Sequence, residues 1–435
     1  MAERSEAVEE QAVRDGSAVY SVEPDVATAE DVPHGYKRTE VGVIPEDWEL
    51  IRLGDLGTFS KGQGIKRDEA MSGEIPCIRY GEIYTHHNDV VRRCSSRISR
   101  EVANSSKPLK YGDLLFAGSG ETKEEIGKAV AFVGEAEAYA GGDIVILSPH
   151  EGVPEFLGYL LNAPLITRQK ASKGQGDAVV HISASALSSV ALPYPAEQEQ
   201  RAIATALSDA DALIESLDRL LAKKRAIKQA AMQQLLTGQT RLPGFTGEWE
   251  TKRLGEFVSI RNQKVMPSSV HPDTPCIELE HIGQGDGRLL SSSTAKYSTA
   301  SKYQFRAGDV LFGRLRSYLR KYWLAEQDGI CTTEIWPLMV DSSQAASGFL
   351  LGIVQTDRFN ESASISYGTH MPRADWKVLK NFEVRLPSVN EQTAIANVLS
   401  DMDTEIEALE RRRNKARQTK QGMMQQLLTG RTRLV

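Results

Sequence analysis

The sequence predicts an α+β protein built as two pseudo-repeated mixed α/β domains, each followed by a long helix. Two observations predict this class. The string MQQLLTG stands at residues 232–238 and again at residues 424–430, and the motifs EQ and LSD upstream of both copies recur at the same offset of 192 residues. Short runs typical of β-strands also recur, in the same order, ahead of each copy. The chain is therefore two copies of one unit, in a circular pseudo-twofold arrangement.

Size and composition set broad limits. A chain of 435 residues with 40% hydrophobic and 25% charged residues can bury substantial cores and has room for two to four domains. The four cysteines form no CxxC pair, and they are expected to be small buried hydrophobic residues. We find no apolar run near the roughly 18 residues of a membrane span and no secretory signal, so we expect a cytoplasmic protein without a membrane partner.

The net charge of −6 comes from one end of the chain. Residues 1–36 contain nine acidic and two basic residues, which leaves 50 basic and 49 acidic residues elsewhere. This acidic segment has no apolar period and is predicted to be a disordered tail without an assigned function. Because the remainder is close to neutral, any nucleic-acid surface must consist of local basic patches.

Each predicted domain, residues 37–194 and residues 241–386, opens with a similar segment. The first reads EDWELIRLG and the second GEWETKRLG, so Trp48 corresponds to Trp249. The last residues of the chain, RTRLV, resemble the TRL that leads into the second half. This circular order predicts that the two termini lie close together.

Between the opening segment and the helix, each half carries matching β-like runs, with GDLLF in one half and GDVLF in the other. Outside these anchors the halves share little, which indicates one scaffold with different loops for two versions of one kind of target. The predicted strands are 77–80, 113–116, 129–133 and 144–147 in the first half, and 276–279, 309–312, 322–325 and 335–340 in the second.

The repeated helices, within residues 195–240 and 387–435, place apolar residues at alternating steps of three and four, the spacing of a coiled-coil seam. A proline precedes each helix and a glycine follows it, as is typical of helix ends. At about 1.5 Å per residue each helix would be about 60 Å long. Since both share one register, we expect them to be partners. The predicted helix-pair residues are Ile203, Leu207, Ile214, Leu217, Leu221, Leu235, Ile395, Leu399, Ile406, Leu409, Met423 and Leu427.

The loops that follow GDVLF and GDLLF are the firmest candidates for contacts with a ligand. Arginine can fork onto guanine or phosphate, and an interleaved tyrosine can pack on a sugar or base. A solvated strand face in the second half and a plain glycine-rich turn in the first are the alternatives. The candidates are Arg314, Arg316, Tyr318, Arg320 and Lys321 in the second half, and Ser119, Thr122 and Lys128 in the first.

Three further groups combine cations, amides or histidines with glycine-bearing loops, and these suit base edges or phosphates. The alternatives are soluble loops, surface histidines and turns that close the domain; adjacent histidines without a carboxylate or cysteine at ligand spacing do not predict a metal site. The residues are Lys61, Gln63, Lys66, Arg67, Arg261, Asn262, Gln263 and Lys264 near the domain openings, Tyr80 and His281, and Lys173, His181, His370 and Arg373 before the long helices.

The catalytic motifs that we sought are missing from the sequence. It has no GxxxxGK[ST], HExxH, GxSxG or strand-linked GxGxxG, and no Asn/Asp-Pro-Pro-aromatic tetrapeptide of an amino-methyltransferase. We therefore predict a binding protein with no catalytic residues and no cofactor of its own.

The helix that opens with PxxxEQ and ends in MQQLLTG, the EDWE or GEWE segment followed by RLG, and the GD[LV]LF strand each occur twice. In this order they resemble the specificity subunit of type I restriction-modification systems, over residues 36–435. The resemblance implies that each half is a target recognition domain reading one part of a split, asymmetric double-stranded DNA site, and that the two helices pair antiparallel as a spacer.

The resemblance also implies partners. The helices would dock two methyltransferase subunits, which carry S-adenosylmethionine and methylate a flipped adenine in each half-site. ATP and Mg²⁺ would belong to restriction subunits, whose presence the sequence leaves open, as it does the bases read by each half. A second hypothesis is a coiled-coil scaffold that joins two protein-binding domains, and a third is an autonomous methyltransferase or nuclease.

Overall fold

The computed structural model describes residues 32–365 and 372–434. The chain divides into two compact bodies: the first takes in the chain up to Ala212 and from Gln418 onward, and the second is Leu213–Arg417. Each body holds one mixed α/β domain and a part of both long helices. Most of the predicted acidic tail lies outside the described residues, but Tyr36, assigned to that tail, begins the first strand.

Most helices of the two bodies are short, whereas two of them have 39 residues each. The helices are α1 (Tyr80–Thr85), α2 (Arg100–Asn104), α3 (Pro154–Leu161), α4 (Pro164–Lys173), α5 (Ala184–Ser188), α6 (Glu197–Leu235), α7 (Leu254–Phe257), α8 (Ser347–Gln355), α9 (Asp357–Ser364), α10 (Trp376–Leu379) and α11 (Val389–Leu427). Single 3₁₀ turns lie at Leu53–Leu56, Pro267–Ser269, Leu279–His281, Ala295–Tyr297 and Ser317–Leu319.

The first domain contains a five-stranded sheet of order β4-β13-β9-β11-β6, a four-stranded sheet of order β7-β5-β12-β8, and two-stranded pairs β1-β2, β3-β15 and β10-β14. The strands are β1 (Tyr36–Thr39), β2 (Gly42–Pro45), β3 (Glu49–Arg52), β4 (Gly57–Lys61), β5 (Ile75–Ile78), β6 (Val90–Val91), β7 (Ser96–Ile98), β8 (Lys107–Pro108), β9 (Leu114–Ala117), β10 (Ser119–Gly120), β11 (Ala129–Phe132), β12 (Tyr139–Ala140), β13 (Ile144–Pro149), β14 (Val180–His181) and β15 (Ala191–Tyr194).

The second domain repeats this plan, with a four-stranded sheet of order β17-β25-β22-β23, a five-stranded sheet of order β18-β21-β24-β19-β20, and the pair β16-β26. The strands are β16 (Glu250–Arg253), β17 (Val258–Ile260), β18 (Lys264–Val265), β19 (Pro275–Ile277), β20 (Ser293–Thr294), β21 (Lys302–Phe305), β22 (Val310–Gly313), β23 (Tyr322–Leu324), β24 (Gly329–Thr332), β25 (Ile335–Val340) and β26 (Glu383–Leu386). Every predicted β-run overlaps a strand, although the bounds differ, and the run 77–80 ends at Tyr80, which begins α1.

The repeated GD[LV]LF motif leads into an interior strand of one sheet in each domain, β9 in the first and β22 in the second. All four residues of β9 and of β22 are buried, as a run of large apolar residues requires of a strand covered on both faces. The preceding glycine adopts a left-handed conformation, with φ of 92° at Gly112 and 87° at Gly308. The aspartate closes the turn: a carboxylate oxygen of Asp113 accepts a hydrogen bond from the backbone N–H of Lys110 at 2.8 Å.

The two long helices follow the predicted seam, because each predicted helix-pair residue is buried or half-buried. The ends of the seam also enter the domain cores. Ile203, Leu207 and Leu427 belong to the core of the first domain, whereas Ile395 and Leu399 pack in the core of the second. The seam therefore serves both the helix pair and the attachment of each helix to a domain.

Ion pairs between α6 and α11 show an antiparallel arrangement. In the second body, Lys224 Nζ lies 2.6 Å from the carboxylate of Glu405, and Lys228 Nζ lies 2.5 Å from Asp403. In the first body, Lys420 Nζ lies 2.8 Å from Asp211. Because partner numbers rise on one helix as they fall on the other, the helices run in opposite directions, as the resemblance implied.

The EQ motif ties the start of each long helix to a domain. Gln200 donates to the carbonyl of Pro195 and accepts the backbone N–H of Val153, and Gln392 makes the equivalent bonds to Pro387 and Ala346. Each glutamine thus links the proline ahead of its long helix to the residue that precedes a helix of the domain, α3 in the first half and α8 in the second.

The glutamate of the same motif binds an arginine that follows the other long helix. Arg433 spans Glu199 and Asp47 in the first body, and Arg241 binds Glu391 in the second. The hydroxyl of Tyr36 donates to the carbonyl of Gly430 at 2.9 Å. The start of the first domain therefore lies close to the end of α11, whereas the two termini that were predicted to be close lie outside the described residues.

Candidate nucleic-acid interface

A cleft of about 570 Å³ in the first domain brings together predicted contact residues from three separate stretches of sequence. Lys61 ends β4, Ser119 begins β10, and Lys173 and His181 lie in the stretch from the end of α4 to the end of β14. The sequence placed these residues in different groups, and the fold joins them in one concave surface.

The pair β10-β14 builds this cleft. It sets Ser119 opposite His181, and the serine Oγ lies 3.0 Å from Nδ1 of the histidine. The backbone N–H of Ile182 adds a bond to the carbonyl of Gly118 at 3.0 Å. The strands β10 and β14 are therefore held together by backbone hydrogen bonds. Ser119 is buried and its hydroxyl is bound to His181, whereas His181 is exposed to solvent.

Asp143 also lines the cleft, and the sequence interpretation missed it. Its backbone adopts a left-handed φ of 59°, which is uncommon outside glycine and asparagine or aspartate. Its carbonyl accepts the N–H of Gly118 at 2.7 Å, and a Cβ on Gly118 would lie 2.8 Å from that oxygen. Only glycine fits at position 118, so a GxG-like spacing after the strand could have indicated this close approach.

The second domain repeats the same construction. Leu315 and Arg373 form an antiparallel bridge at the positions that Ser119 and His181 occupy in the first domain. The backbone N–H of Ala374 donates to the carbonyl of Arg314 at 2.8 Å, and the N–H of Arg314 donates to the carbonyl of Glu334 at 2.9 Å. One backbone framework thus presents two different sets of side chains.

Arginines dominate the side chains on the second framework. The guanidinium of Arg314 lies 5.1 Å from the ring centre of Trp336, and its buried Nε has no hydrogen-bond partner among the described residues. Arg316 is exposed with a left-handed φ of 51°, and Tyr318 is 55% exposed. Arg320 is paired with Asp357 at 2.7 Å. Arg316 and Tyr318 are therefore the best placed of this group to reach a ligand.

The two lysines that were among the firmest predicted contacts have structural partners. Lys128 Nζ donates to the carbonyls of Tyr84 and His87 at 3.3 and 2.9 Å, and Lys321 Nζ donates to those of Leu279 and Ile282 at 2.7 and 2.9 Å. Burial lowers the pKa of both ammonium groups. These contacts favour a structural role for Lys128 and Lys321 over the expected contact with DNA.

Two predicted residues near the opening of the second domain are also occupied. Arg261 binds Asp309 through Nε and Nη2 at 2.7 and 2.9 Å, and the hydrogen bond raises the pKa of the guanidinium. His281 accepts the backbone N–H of Glu278 through Nδ1 at 3.0 Å. Both side chains use hydrogen-bonding groups within the domain, so fewer of these groups remain for contact with a ligand.

His370 lies outside the described residues, and the other remaining predicted residues lie at the surface. Arg373 is bound to Glu334, and Lys264 lies 5.8 Å from the ring centre of Tyr303. The exposed residues of this group are Gln63, Lys66, Arg67, Tyr80, Thr122, Asn262, Gln263, Lys264 and Arg373.

Within residues 32–365 and 372–434, no group of three or more His, Cys, Asp and Glu side chains could hold a metal ion. In the same ranges no helix has both the length and the apolar character needed to cross a membrane. Three of the four thiols are buried, and burial raises the pKa of Cys77 to about 12, so this thiol stays protonated.

Comparison with known proteins identifies the family. A family model described as the type I restriction modification DNA specificity domain matches residues 45–223 and 246–418. The chain belongs to the type I DNA specificity family. Each of the two matched segments holds one of the two equivalent frameworks.

Members of the type I DNA specificity family resemble the chain over most of its length. The type I restriction enzyme MjaVIII specificity subunit of Methanocaldococcus jannaschii is 22% identical over 416 residues, which cover 90% of this chain and 94% of the relative. The EcoDI specificity subunit of Escherichia coli is 23% identical over 409 residues, which cover 86% and 85%.

Solved structures share the fold. The S subunit of a type I restriction-modification system from M. genitalium aligns with a TM-score of 0.58 at 14% identity, covering 87% of this chain and 96% of that structure. A chain from a structural study of the assembly and conformational transition of the type I system aligns with a TM-score of 0.53 at 18% identity, covering 89% and 99%.

Proposed function

We propose that this chain is the DNA-reading subunit of a type I restriction-modification complex and that its two domains read the two different halves of an asymmetric, bipartite site. The observation that carries the proposal is the repeated framework. At equivalent positions, one domain has Ser119 and His181, and the other has Leu315 and Arg373. One scaffold with two side-chain sets is what reading two unlike sequences requires.

The chemistry of the two surfaces supports DNA as the ligand. Lys61 and Lys173 in the first cleft can neutralise phosphates, which gives salt-dependent affinity. In the second domain, the side chains of Arg316 and Tyr318 are exposed, and an arginine with an aromatic ring suits guanine edges and sugars.

The proposal assigns catalysis to partners. Two methyltransferase subunits would dock on α6 and α11 and carry S-adenosylmethionine, and restriction subunits would bring ATP and Mg²⁺. Family membership supports this division, as does the lack of catalytic motifs in the sequence. A cytoplasmic location would give the complex access to chromosomal and incoming DNA.

The test is binding of random-sequence duplex DNA by the full chain, co-purified with its methyltransferase partner. We expect retention that falls steeply with salt and that selects a bipartite site. Equal binding of all sequences, or none, would favour the alternative in which the chain is a coiled-coil scaffold for two protein-binding domains.

Replacement of Arg314 and Arg316 by alanine shows which half-site the second domain reads. We expect recognition of one half-site to be relaxed or lost, since both residues lie on the second framework, while the other half-site is read as before. The matched variant, with Lys61 and Lys173 replaced by alanine, should weaken binding through the first domain. An equal loss at both half-sites in the arginine variant, or no loss, would contradict the assignment.

A further inference from the structure

A carboxylate occupies the same place on both frameworks. Asp143 directly precedes β13, and Glu334 directly precedes β25. The backbone carbonyl of Asp143 accepts the N–H of Gly118, and that of Glu334 accepts the N–H of Arg314. The side chains at the rest of the two frameworks differ, so the shared negative charge stands out.

A negative charge in a DNA-binding cleft repels phosphates and weakens binding to every sequence. It becomes favourable only where a hydrogen-bond donor meets it. In the major groove, Asp and Glu accept hydrogen bonds from the exocyclic N4 amine of cytosine, whereas a guanine presents acceptors that an arginine fork fits. A carboxylate can therefore contribute to specificity either by direct contact or by orienting an arginine.

The two carboxylates are placed for these two different tasks. Asp143 is exposed and lines the first cleft beside Lys61 and Lys173. Glu334 instead holds Arg373, which donates from Nε at 3.0 Å and from Nη2 at 2.9 Å. This side-on pairing leaves the Nη1 end of the guanidinium fork directed away from the carboxylate, so Glu334 fixes the arginine without consuming its whole donor set.

We propose that Asp143 reads a cytosine in the half-site bound by the first domain, and that Glu334 is a positioning residue that holds Arg373 to read a guanine in the other half-site. This inference rests on the proposed function. It names a specificity-determining pair at equivalent positions and gives each half-site one defined base.

The test uses the full chain with its methyltransferase partner and compares Asp143→Asn with Glu334→Gln in selections from randomised duplex DNA. Asparagine tolerates the left-handed backbone of residue 143, so this variant should fold. We expect Asp143→Asn to lose part of its discrimination at one cytosine, which is about 5- to 150-fold for one good base contact, because the amide keeps one acceptor oxygen but replaces the other with a donor. We also expect it to bind random duplex more tightly, because the repulsion of phosphates is removed.

Glu334→Gln should lose a preference for guanine in the other half-site only, and Glu334→Asp, which keeps the charge, should restore part of that preference. A purely structural role for Glu334 would lower the unfolding temperature without changing which bases are selected. Asp143→Gly, which matches the backbone conformation and removes the side chain, should repeat the loss at cytosine. Glu101→Gln, at an exposed carboxylate on α2, is the control and should change nothing.

The inference is wrong if folded Asp143 variants keep every base preference of the parent protein, or if Glu334→Gln selects guanine as strongly as before. These outcomes differ from failure of the proposed function, in which the parent protein itself shows no sequence-selective, salt-sensitive binding of duplex DNA.

Discussion

Lys128 and Lys321 are of a residue type that commonly contacts DNA, but in the structure their side chains bind the backbone of their own domain. Each ammonium group donates to two backbone carbonyls. We expect Lys128→Met to lower the free energy of unfolding by about 1 to 3 kcal/mol, because buried carbonyls lose their donor. The dependence of DNA affinity on salt should stay unchanged. Chemical denaturation together with binding titrations at several salt concentrations measures both quantities.

The control at this scale is Lys61→Met in the same domain. Lys61 is exposed, so stability should change by less than about 0.5 kcal/mol. The slope of log affinity against log salt should fall by about 1, as expected when one phosphate contact is lost. A Lys128→Met protein that is as stable as the parent but has a smaller salt slope would restore the original hypothesis that Lys128 contacts DNA.

The sequence indicated which residue types could contact DNA, but it did not indicate which of these residues are bound by ion-pair partners within the protein. Arg373 is bound by Glu334, 39 residues away in the chain, and Arg261 is bound by Asp309, 48 residues away. Such pairs form only when strands from distant stretches meet, and spacing along the chain carries no signal for them. Asp143 was missed for the same reason, because its role depends on a backbone contact with Gly118.

At the scale of elements, a charged contact holds α11 against a loop of the second domain. Arg288 lies 2.6 Å from Glu410 and 3.1 Å from Glu407, and Arg225 of α6 also binds Glu410 at 2.5 Å. Burial raises the pKa of Glu410, but the hydrogen bonds from Arg288 and Arg225 outweigh it and leave the pKa below the ordinary value of 4.5. The carboxylate is thus more stable when charged in the folded protein.

We expect this contact to stabilise the second body at neutral pH and to fail in acid. A carboxylate with a lowered pKa contributes stability above its ordinary pKa, and loses that contribution as the pH falls through the lowered value. Glu410→Gln should therefore cost about 1 to 3 kcal/mol at pH 7, with the difference from the parent shrinking below the ordinary pKa of 4.5. Urea denaturation across that pH range measures the difference.

The exposed pair Arg201 and Glu197 provides the matched comparison. Their side chains are 69% and 64% exposed, so Glu197→Gln should cost less than about 1 kcal/mol at any pH. A difference between the parent and Glu410→Gln that stays constant from neutral to acid pH would show that the charge of Glu410 is not what stabilises the contact.

The helices themselves were the part of the fold most open to prediction. A seam with regular spacing predicts burial without knowledge of the partner, and each predicted seam residue is buried or half-buried. The partners of the cations within the seam were harder to predict. Lys228 and Lys420 are balanced by Asp403 and Asp211 from the opposite helix, and these pairs depend on an antiparallel register that one helix alone does not reveal.

In the whole molecule, the segment after each long helix binds a domain through an arginine: the segment after α11 binds the first domain, and the segment after α6 binds the second. Arg433 lies over Trp48 and binds Glu199, and Arg241 lies over Trp249 and binds Glu391. Both arginines follow the glycine that ends a long helix. Each domain is thus attached to the start of one long helix and to the end of the other.

Because each domain is attached to both helices, lengthening both should change the DNA site without changing the bases read. Four residues inserted after Leu221 and four after Leu409 fall between the ion pairs of Lys224 with Glu405 and of Arg413 with Asp218. Four helical residues add about 6 Å, or about two base pairs of DNA at 3.4 Å each. We expect the gap between half-sites to widen by that amount in methylome sequencing of a host that carries the variant and its methyltransferase.

Insertion into only one helix is the control for this experiment. The unpaired residues would have to bulge out of the pair or shift its register, which would break the cross-helix ion pairs and lower the unfolding temperature rather than lengthen the site. If the double insertion folds and methylates DNA with the original gap, then α6 and α11 do not set the spacing. The half-site separation would in that case have to come from the docked methyltransferase subunits.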